Sequence, residues 1–308
     1  MATSSQLAPR RPAARRLSWR RAARTPYLLL LPAAVAMGVV AVYPLIYSIR
    51  ASFDRYRFGR NFGSAGLDNY RNVLHDSTFW TAIGTTAKYV FFAVAIETLL
   101  GLGLALMVSR EIRFSRFFRV GLILPMTIAP VVVGVVWRLM YASDIGVVNP
   151  VFSSLGLGTP DVLAHEGSAF IGVVAVDVWE WTPLLFLIIL AGLQSLPQEP
   201  LEAARVDGAG PVRLFFEHTL PLLLPVLLVA VVLRLIDAIG TFDQIYVLTK
   251  GGPGVSTQLI SIYAYNTAFL FTQYGQAAAM LVAVLAFLIV LMIFAVRLTR
   301  RAARETAA

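Results

Sequence analysis

The chain has 308 residues, 58% of them hydrophobic and only 14% charged, with a mean hydropathy of +0.73. A soluble domain carries about 25% charged residues, so lipid is the solvent for most of this chain and no sizeable soluble domain fits beside the apolar stretches. Cysteine is absent, and His75, His165 and His218 have no metal-ligand spacing, which excludes disulfide frameworks, thiolate nucleophiles and a His or Cys metal site. The net charge of +9 lies mainly in Arg residues beside apolar stretches, a pattern of membrane topology rather than of nucleic-acid binding.

Residues 1–24 hold seven Arg, no acid, Pro9 and Pro12, and predict a disordered basic tail; an organellar transit peptide shares this composition. An uncharged run from Thr25 to Ile49 follows, too long for a signal-peptide core, and predicts an uncleaved first span at 27–49. Further spans are predicted at 79–109, 120–142, 169–193, 219–241 and 275–297. Each meets the need for about 20 mostly apolar residues to cross a hydrocarbon core. Backbone amides in lipid must bond internally, and these long continuous runs do not alternate as barrel strands do, so the class is all-α. The expected organisation is a six-helix membrane domain over 25–298 and a short tail at 299–308.

Orientation follows from the Arg and Lys residues in the connections. The side of the N-terminus carries seventeen, in the tail, between Arg110 and Arg119, at Arg205 and Arg213, and from Arg297 onward. The other side carries seven: Arg50, Arg55, Arg57, Arg60, Arg71, Arg138 and Lys250. The positive-inside rule predicts both termini in the cytoplasm, and with them the polar loop 194–218. The loop 50–77 is dissonant, since its five Arg are offset by only Asp54, Asp68 and Asp76.

Within the cytoplasmic loop, LEAARVDGAGPVRLFFEHTLP runs from Leu201 to Pro221. It reads as a short amphipathic helix at 201–206, a turn at Gly208 and Gly210, and a second short helix opened by Pro211, before Pro221 marks the start of span five. Ala203 and Ala204 keep one face small enough for close approach. The segment resembles the EAA loop of binding-protein-dependent ABC importer permeases: Glu202, Ala203, Ala204, Gly208, Leu220 and Pro221 occupy its positions, with Asp207 beside the glycine. His218 departs from it, standing where the family usually has an apolar residue. The segment FDQIYVLTKGGPGVSTQLISIYAYNTAF (Phe242 to Phe269) resembles the carbohydrate-class permeases, and Leu124-Pro125 and Asp144 to Asn149 agree; together the likeness covers 27–297.

The resemblance implies a type I ABC-importer permease fold, multi-pass in a bacterial inner membrane, serving as the first of two permease subunits in a heterodimer. It further implies an ATPase dimer docked on Glu202, Ala203, Ala204, Asp207, Gly208, Leu220 and Pro221, and an extracytoplasmic binding protein. The expected solute is a sugar or sugar-like molecule, disaccharide or phosphorylated polyol. No Gly-Lys pair occurs, so the chain has no phosphate-binding loop of that kind. ATP and Mg would then be bound by the partner ATPase, leaving this chain without catalysis, metal or cofactor of its own.

Asp177 and Glu180 lie three apart in span four, and Arg234 and Asp237 three apart in span five, so each pair shares a helical face. An unsupported charge at mid-helix costs about 2.5 to 3.5 kcal/mol, so these groups must face protein or water. Two readings stand. They line a solute path with Trp137, Trp179, Trp181 and Asn149, or Arg234 forms a buried ion pair with Asp237 or Glu180 that fixes packing. The tryptophans also fit interface anchors, and Asp243 and Gln244 are candidates for path lining or loop support. Glu97 should face the bundle and Lys88 should snorkel outward, while Gly101, Gly103, Gly134 and Ala277 to Ala279 permit close helix approach. A proton- or sodium-coupled secondary transporter could also use Asp177 and Glu180, but 27–142 and 169–297 show no repeat. A membrane-embedded enzyme would need a nucleophile or metal cluster that is missing.

Overall fold

The computed structural model describes residues 25–109, 120–156 and 158–305. The predicted tail 1–24 and the basic segment 110–119 lie outside the described residues. The chain divides into two compact units, Met1–Arg50 and Ala51–Ala308. In the first, α1 (Thr25–Met37) continues through a π-turn at Gly38–Val42 into α2 (Tyr43–Ala51). Leu29, Leu30, Val35, Val39 and Val40 are all exposed on it, the pattern of a helix apolar on every side.

The second unit opens with a feature that composition did not announce. Asp54–Arg57 (β1) and Arg60–Ser64 (β2) form an antiparallel hairpin closed at Phe58 and Gly59, both at positive φ. Asn61 Nδ2 donates to Asp54 Oδ2 at 2.9 Å across it, and Arg55 pairs with Asp68 at 3.2 Å on α3 (Asp68–His75). Part of the Arg excess in loop 50–77 therefore sits on a small ordered structure.

Two long helices, α4 (Ser77–Ser109) and α7 (Glu166–Ser195), pack along each other through Ala93, Val173, Val176, Leu185 and Phe186, all buried. Their close approach needs Gly101, where a Cβ would stand 3.0 Å from the Phe186 backbone nitrogen and 3.1 Å from Leu185 Cβ. At Gly103 a Cβ would meet nothing within 4 Å, so that glycine serves no contact inside this chain.

The predicted third span, 120–142, is not one helix. Residues 120–123 are helical, a 3-10 turn occupies Pro125–Thr127, and α5 (Pro130–Met140) starts afresh with proline at its first position. Pro130 holds Ala129 in the extended region at ψ 134°, which an α-helix cannot pass through. Beyond α5 lies the short α6 (Val148–Ser154). Asn149 on it donates to Asp161 at 3.3 Å, and hydrogen bonds from Ser143 and Asn149 hold the Asp161 carboxyl below the ordinary carboxylate range.

A second correction concerns the loop after α7. Its first helix, α8 (Gln198–Val206), ends as expected. The second, α9 (Pro211–Leu214), is not a separate short element: a π-turn at Phe215–Thr219 carries it into α10 (Leu220–Gly240), giving one 30-residue helix from Pro211 to Gly240. Pro221 does not break it. Leu220 N–H bonds to Phe215 O, five residues back, and this widened turn gives the Pro221 ring room that a regular turn would deny. The same device precedes Pro44, where Tyr43 N–H bonds to Gly38 O.

After a break at Thr241 and Phe242 come α11 (Asp243–Thr249), α12 (Ile260–Tyr265) and the terminal α13 (Tyr274–Glu305), which continues past the predicted end at 297. The Thr86 hydroxyl accepts the Ile260 N–H at 2.9 Å and ties α12 to α4, and the Tyr263 hydroxyl bonds the Asp76 carboxylate. Ala277, Ala278 and Ala279 are buried at the start of α13. Five helices of the described residues are long and apolar enough to cross a membrane: Leu29–Ala51, Ser77–Ser109, Glu166–Ser195, Pro211–Gly240 and Tyr274–Phe294. Because the third stretch is broken, the predicted span 120–142 is absent from that set, represented only by the shorter apolar helix Pro130–Met140.

Candidate functional site

The mid-span charges meet at one point. Arg234 on α10 has no exposed surface, and all three of its guanidinium nitrogens carry a carboxylate. Nε and Nη2 reach the two oxygens of Glu97 at 2.8 and 3.0 Å, Nη2 also bonds Asp177, and Nη1 bonds Asp237 at 2.8 Å. Gln244 Nε2 donates to the second Asp177 oxygen at 2.6 Å. One guanidinium thus joins α4, α7 and α10 directly, and α11 through Asp177. Charge-assisted bonds of this geometry are about twice as strong as neutral ones, which offsets the burial of the ions. The sequence position of Glu97 directs it toward the bundle, and the structure adds that it belongs to the cluster. The signal that could have found it is the cost of leaving a carboxylate unpaired in the middle of a span.

Above this cluster a cleft of about 380 Å³ opens at the break between α10 and α11. Trp181, Asp237, Thr241, Phe242, Asp243 and Gln244 line it, with Pro130 closing one side. The break is what makes the cleft polar: Thr241 and Phe242 leave helical geometry, and two helix ends with their own backbone groups meet where an unbroken helix would show none free. Gly134 lets α11 approach α5, because a Cβ there would stand 2.8 Å from Gln244 O.

Of the seven sequence-predicted path residues, Trp181, Asp237, Asp243 and Gln244 line the cleft, whereas Asp177, Glu180 and Arg234 are buried outside its lining. Trp181 covers the Arg234 guanidinium, 5.3 Å from its ring centre. Glu180 makes no ion pair among the described residues, and its Oε2 has no hydrogen-bond partner there. Trp137 and Trp179 pair edge-on at 5.5 Å and line no part of this cleft, nor does Asn149. Lys88 is exposed. Thr241 and Phe242 are lining residues that sequence reasoning passed over.

The second candidate surface is the knob at 198–219. Ala209 N–H reaches Ala204 O and Gly208 N–H reaches Arg205 O, with Gly208 at φ +85°, so the glycine supplies the left-handed residue that ends α8. Glu202, Ala203, Asp207 and Gly208 are exposed, while Leu201 and Ala204 turn inward. Leu220 is half-buried and Pro221 exposed on the continuous helix, and His218 is half-buried within the π-turn. Val206, Val212 and Phe216 stand 88%, 71% and 61% exposed around the polar groups, an apolar patch of the kind that meets another protein.

Among the described residues no group of three or more His, Cys, Asp or Glu could hold a metal ion. Three of the four carboxyl groups near Arg234, those of Glu97, Asp177 and Asp237, are bonded to it.

Comparison with known proteins agrees with this architecture. The probable ABC transporter permease protein y4oQ of Sinorhizobium fredii is 39% identical over 280 residues, 90% of each chain. The trehalose/maltose transport system permease protein MalF of Thermococcus litoralis is 38% identical over 272 residues, 88% of this chain and 91% of that one. The sn-glycerol-3-phosphate transport system permease protein UgpA of Escherichia coli is 34% identical, covering 87% and 90%. A chain from the crystal structure of a bacterial alginate ABC transporter, in complex with an alginate pentasaccharide-bound periplasmic protein, superposes with a TM-score of 0.79. It is 23% identical and covers 92% of this chain and 97% of that one, which assigns the fold to the type I ABC-importer permeases. The family described as binding-protein-dependent transport system inner membrane component matches residues 97–304, and this chain belongs to it.

Proposed function

We propose that this chain is the non-catalytic membrane half of an ATP-driven importer for a sugar or sugar-like solute. An extracytoplasmic binding protein delivers the solute, a second permease subunit completes the pore, and an ATPase dimer binds ATP and Mg on the cytoplasmic side, where both termini of this chain also lie. The observation that carries the reading is the polar cleft at the α10–α11 break, set inside an otherwise apolar bundle. Its Trp181 ring, Asp237 and Asp243 carboxylates and Gln244 amide are the groups that replace water around a polyol. Relatives named for trehalose and maltose, for sulfoquinovosyl glycerol and for sn-glycerol-3-phosphate support the solute class.

The knob supplies the coupling surface. Its exposed apolar residues alternate with Glu202, Asp207 and the Arg213–Glu217 pair, bonded at 2.8 Å, and it begins the same helix that ends at the cleft. The test is uptake into proteoliposomes holding the complete transporter, with ATP inside and binding protein outside. Glu202→Arg should lower ATP-dependent uptake at least about tenfold while the four-subunit complex still elutes as one species; uptake at the unaltered rate would refute the coupling role.

A further inference from the structure

The geometry points to a charge filter: we propose that the cleft admits uncharged, hydroxyl-rich solutes and turns away anionic ones, so that the substrate is a neutral sugar rather than a phosphorylated, sulfonated or uronic one. This rests on the sugar reading above and narrows it. Arg234 is the natural candidate for receiving an anion, and it is withheld. It has no exposed surface, each of its nitrogens is already bonded to a carboxylate, and Trp181 lies across its face. The charged groups that do line the cleft are Asp237, with 48% of its side chain exposed, and Asp243. Asp243 also occupies the first turn of α11, where it offsets the positive end of that helix.

A second, independent feature asks for a donor. Asp177 accepts from the Gln244 amide nitrogen, which fixes the amide so that Oε1 is its other end. Gln244 is 2% exposed, lines the cleft, and its Oε1 has no hydrogen-bond partner among the described residues. A buried amide oxygen is satisfied by a hydroxyl and left unsatisfied by a phosphate, sulfonate or carboxylate oxygen. The cleft carboxylates accept hydrogen bonds from hydroxyls and repel an anion brought into contact with them, and the buried amide oxygen beneath adds a further acceptor with no donor of its own.

The test is ligand binding to the complete membrane complex in nanodiscs, without the binding protein, by saturation-transfer NMR. The probes are trehalose and trehalose 6-phosphate at equal millimolar concentration. Trehalose should give a saturable signal that Trp181→Ala removes, and the phosphate ester a signal at least about tenfold weaker. Asp243→Asn, and separately Asp237→Asn, should narrow that ratio to about threefold or less with the complex still monodisperse. Equal binding of both sugars to the unaltered complex would overturn the charge filter alone, as would a ratio that neither Asn variant moves. No Trp181-dependent signal from either sugar would count against the sugar reading itself, and the filter would fall with it.

Discussion

Arg234 shows how much one side chain holds here. Its guanidinium is the shared partner of Glu97, Asp177 and Asp237, and these come from three helices separated widely in sequence. Removing it leaves several carboxyl groups buried without a counter-charge, which costs about 3 to 5 kcal/mol in comparable buried pairs. Arg234→Leu should therefore lower the thermal midpoint of the detergent-solubilised complex by several degrees, and Glu97→Leu in the same chain should recover part of the loss. An Arg234→Leu complex as stable as the original would show that the network carries no packing energy. The sequence made half of this site legible. Helical spacing put Asp177 with Glu180 and Arg234 with Asp237, and insertion cost said that each needed a partner. It did not say which. Glu97 lies 137 positions from Arg234, and no periodicity reaches across that distance. The same gap explains Glu180, which shares a face with Asp177 yet makes no ion pair among the described residues.

At the scale of elements, hydrophobic length located the spans and proline decided how they are built, in opposite senses at different places. Pro125 and Pro130 lie five apart with Ala129 forced into an extended conformation, and the third stretch breaks there. Pro221 lies in a helix that continues, because the π-turn just before it absorbs the steric conflict. Composition reads the same residue type in both places, so only the neighbouring backbone distinguishes a break from a bypass. Glycines divide in the same way. Gly101 and Gly103 look alike in the sequence, yet only Gly101 has a neighbouring backbone against it. Gly101→Ala should loosen the α4–α7 contact and lower the thermal midpoint of the assembled complex. Gly103→Ala should leave it unchanged or raise it slightly, since alanine is favoured over glycine inside a helix by about 0.5 to 1 kcal/mol. Equal losses from the two substitutions would place a partner subunit against Gly103.

Across the whole second unit, the continuous helix from Pro211 to Gly240 gives the proposed mechanism a physical lever. At 1.5 Å per residue its 30 residues span about 45 Å, from the exposed knob to the mouth of the cleft. Because the helix continues through its π-turn and past Pro221 and Pro225 without a loop, motion imposed at the knob is carried toward Thr241 and Phe242 rather than being absorbed between two separate short helices. Closure of an ATPase pair on the knob would then shift the α10–α11 break and change which side of the membrane reaches the cleft, a two-state change that each ligand biases. The absence of cysteine makes this directly measurable. In the complete transporter with other subunits free of reactive cysteines, Thr241→Cys places a single thiol on the cleft lining. Its rate of modification by a membrane-impermeant maleimide should change at least about tenfold when ATP is trapped on the ATPase, and adding Glu202→Arg should abolish that change. A labelling rate indifferent to ATP would mean that the helix does not couple the knob to the cleft, whatever the transporter carries.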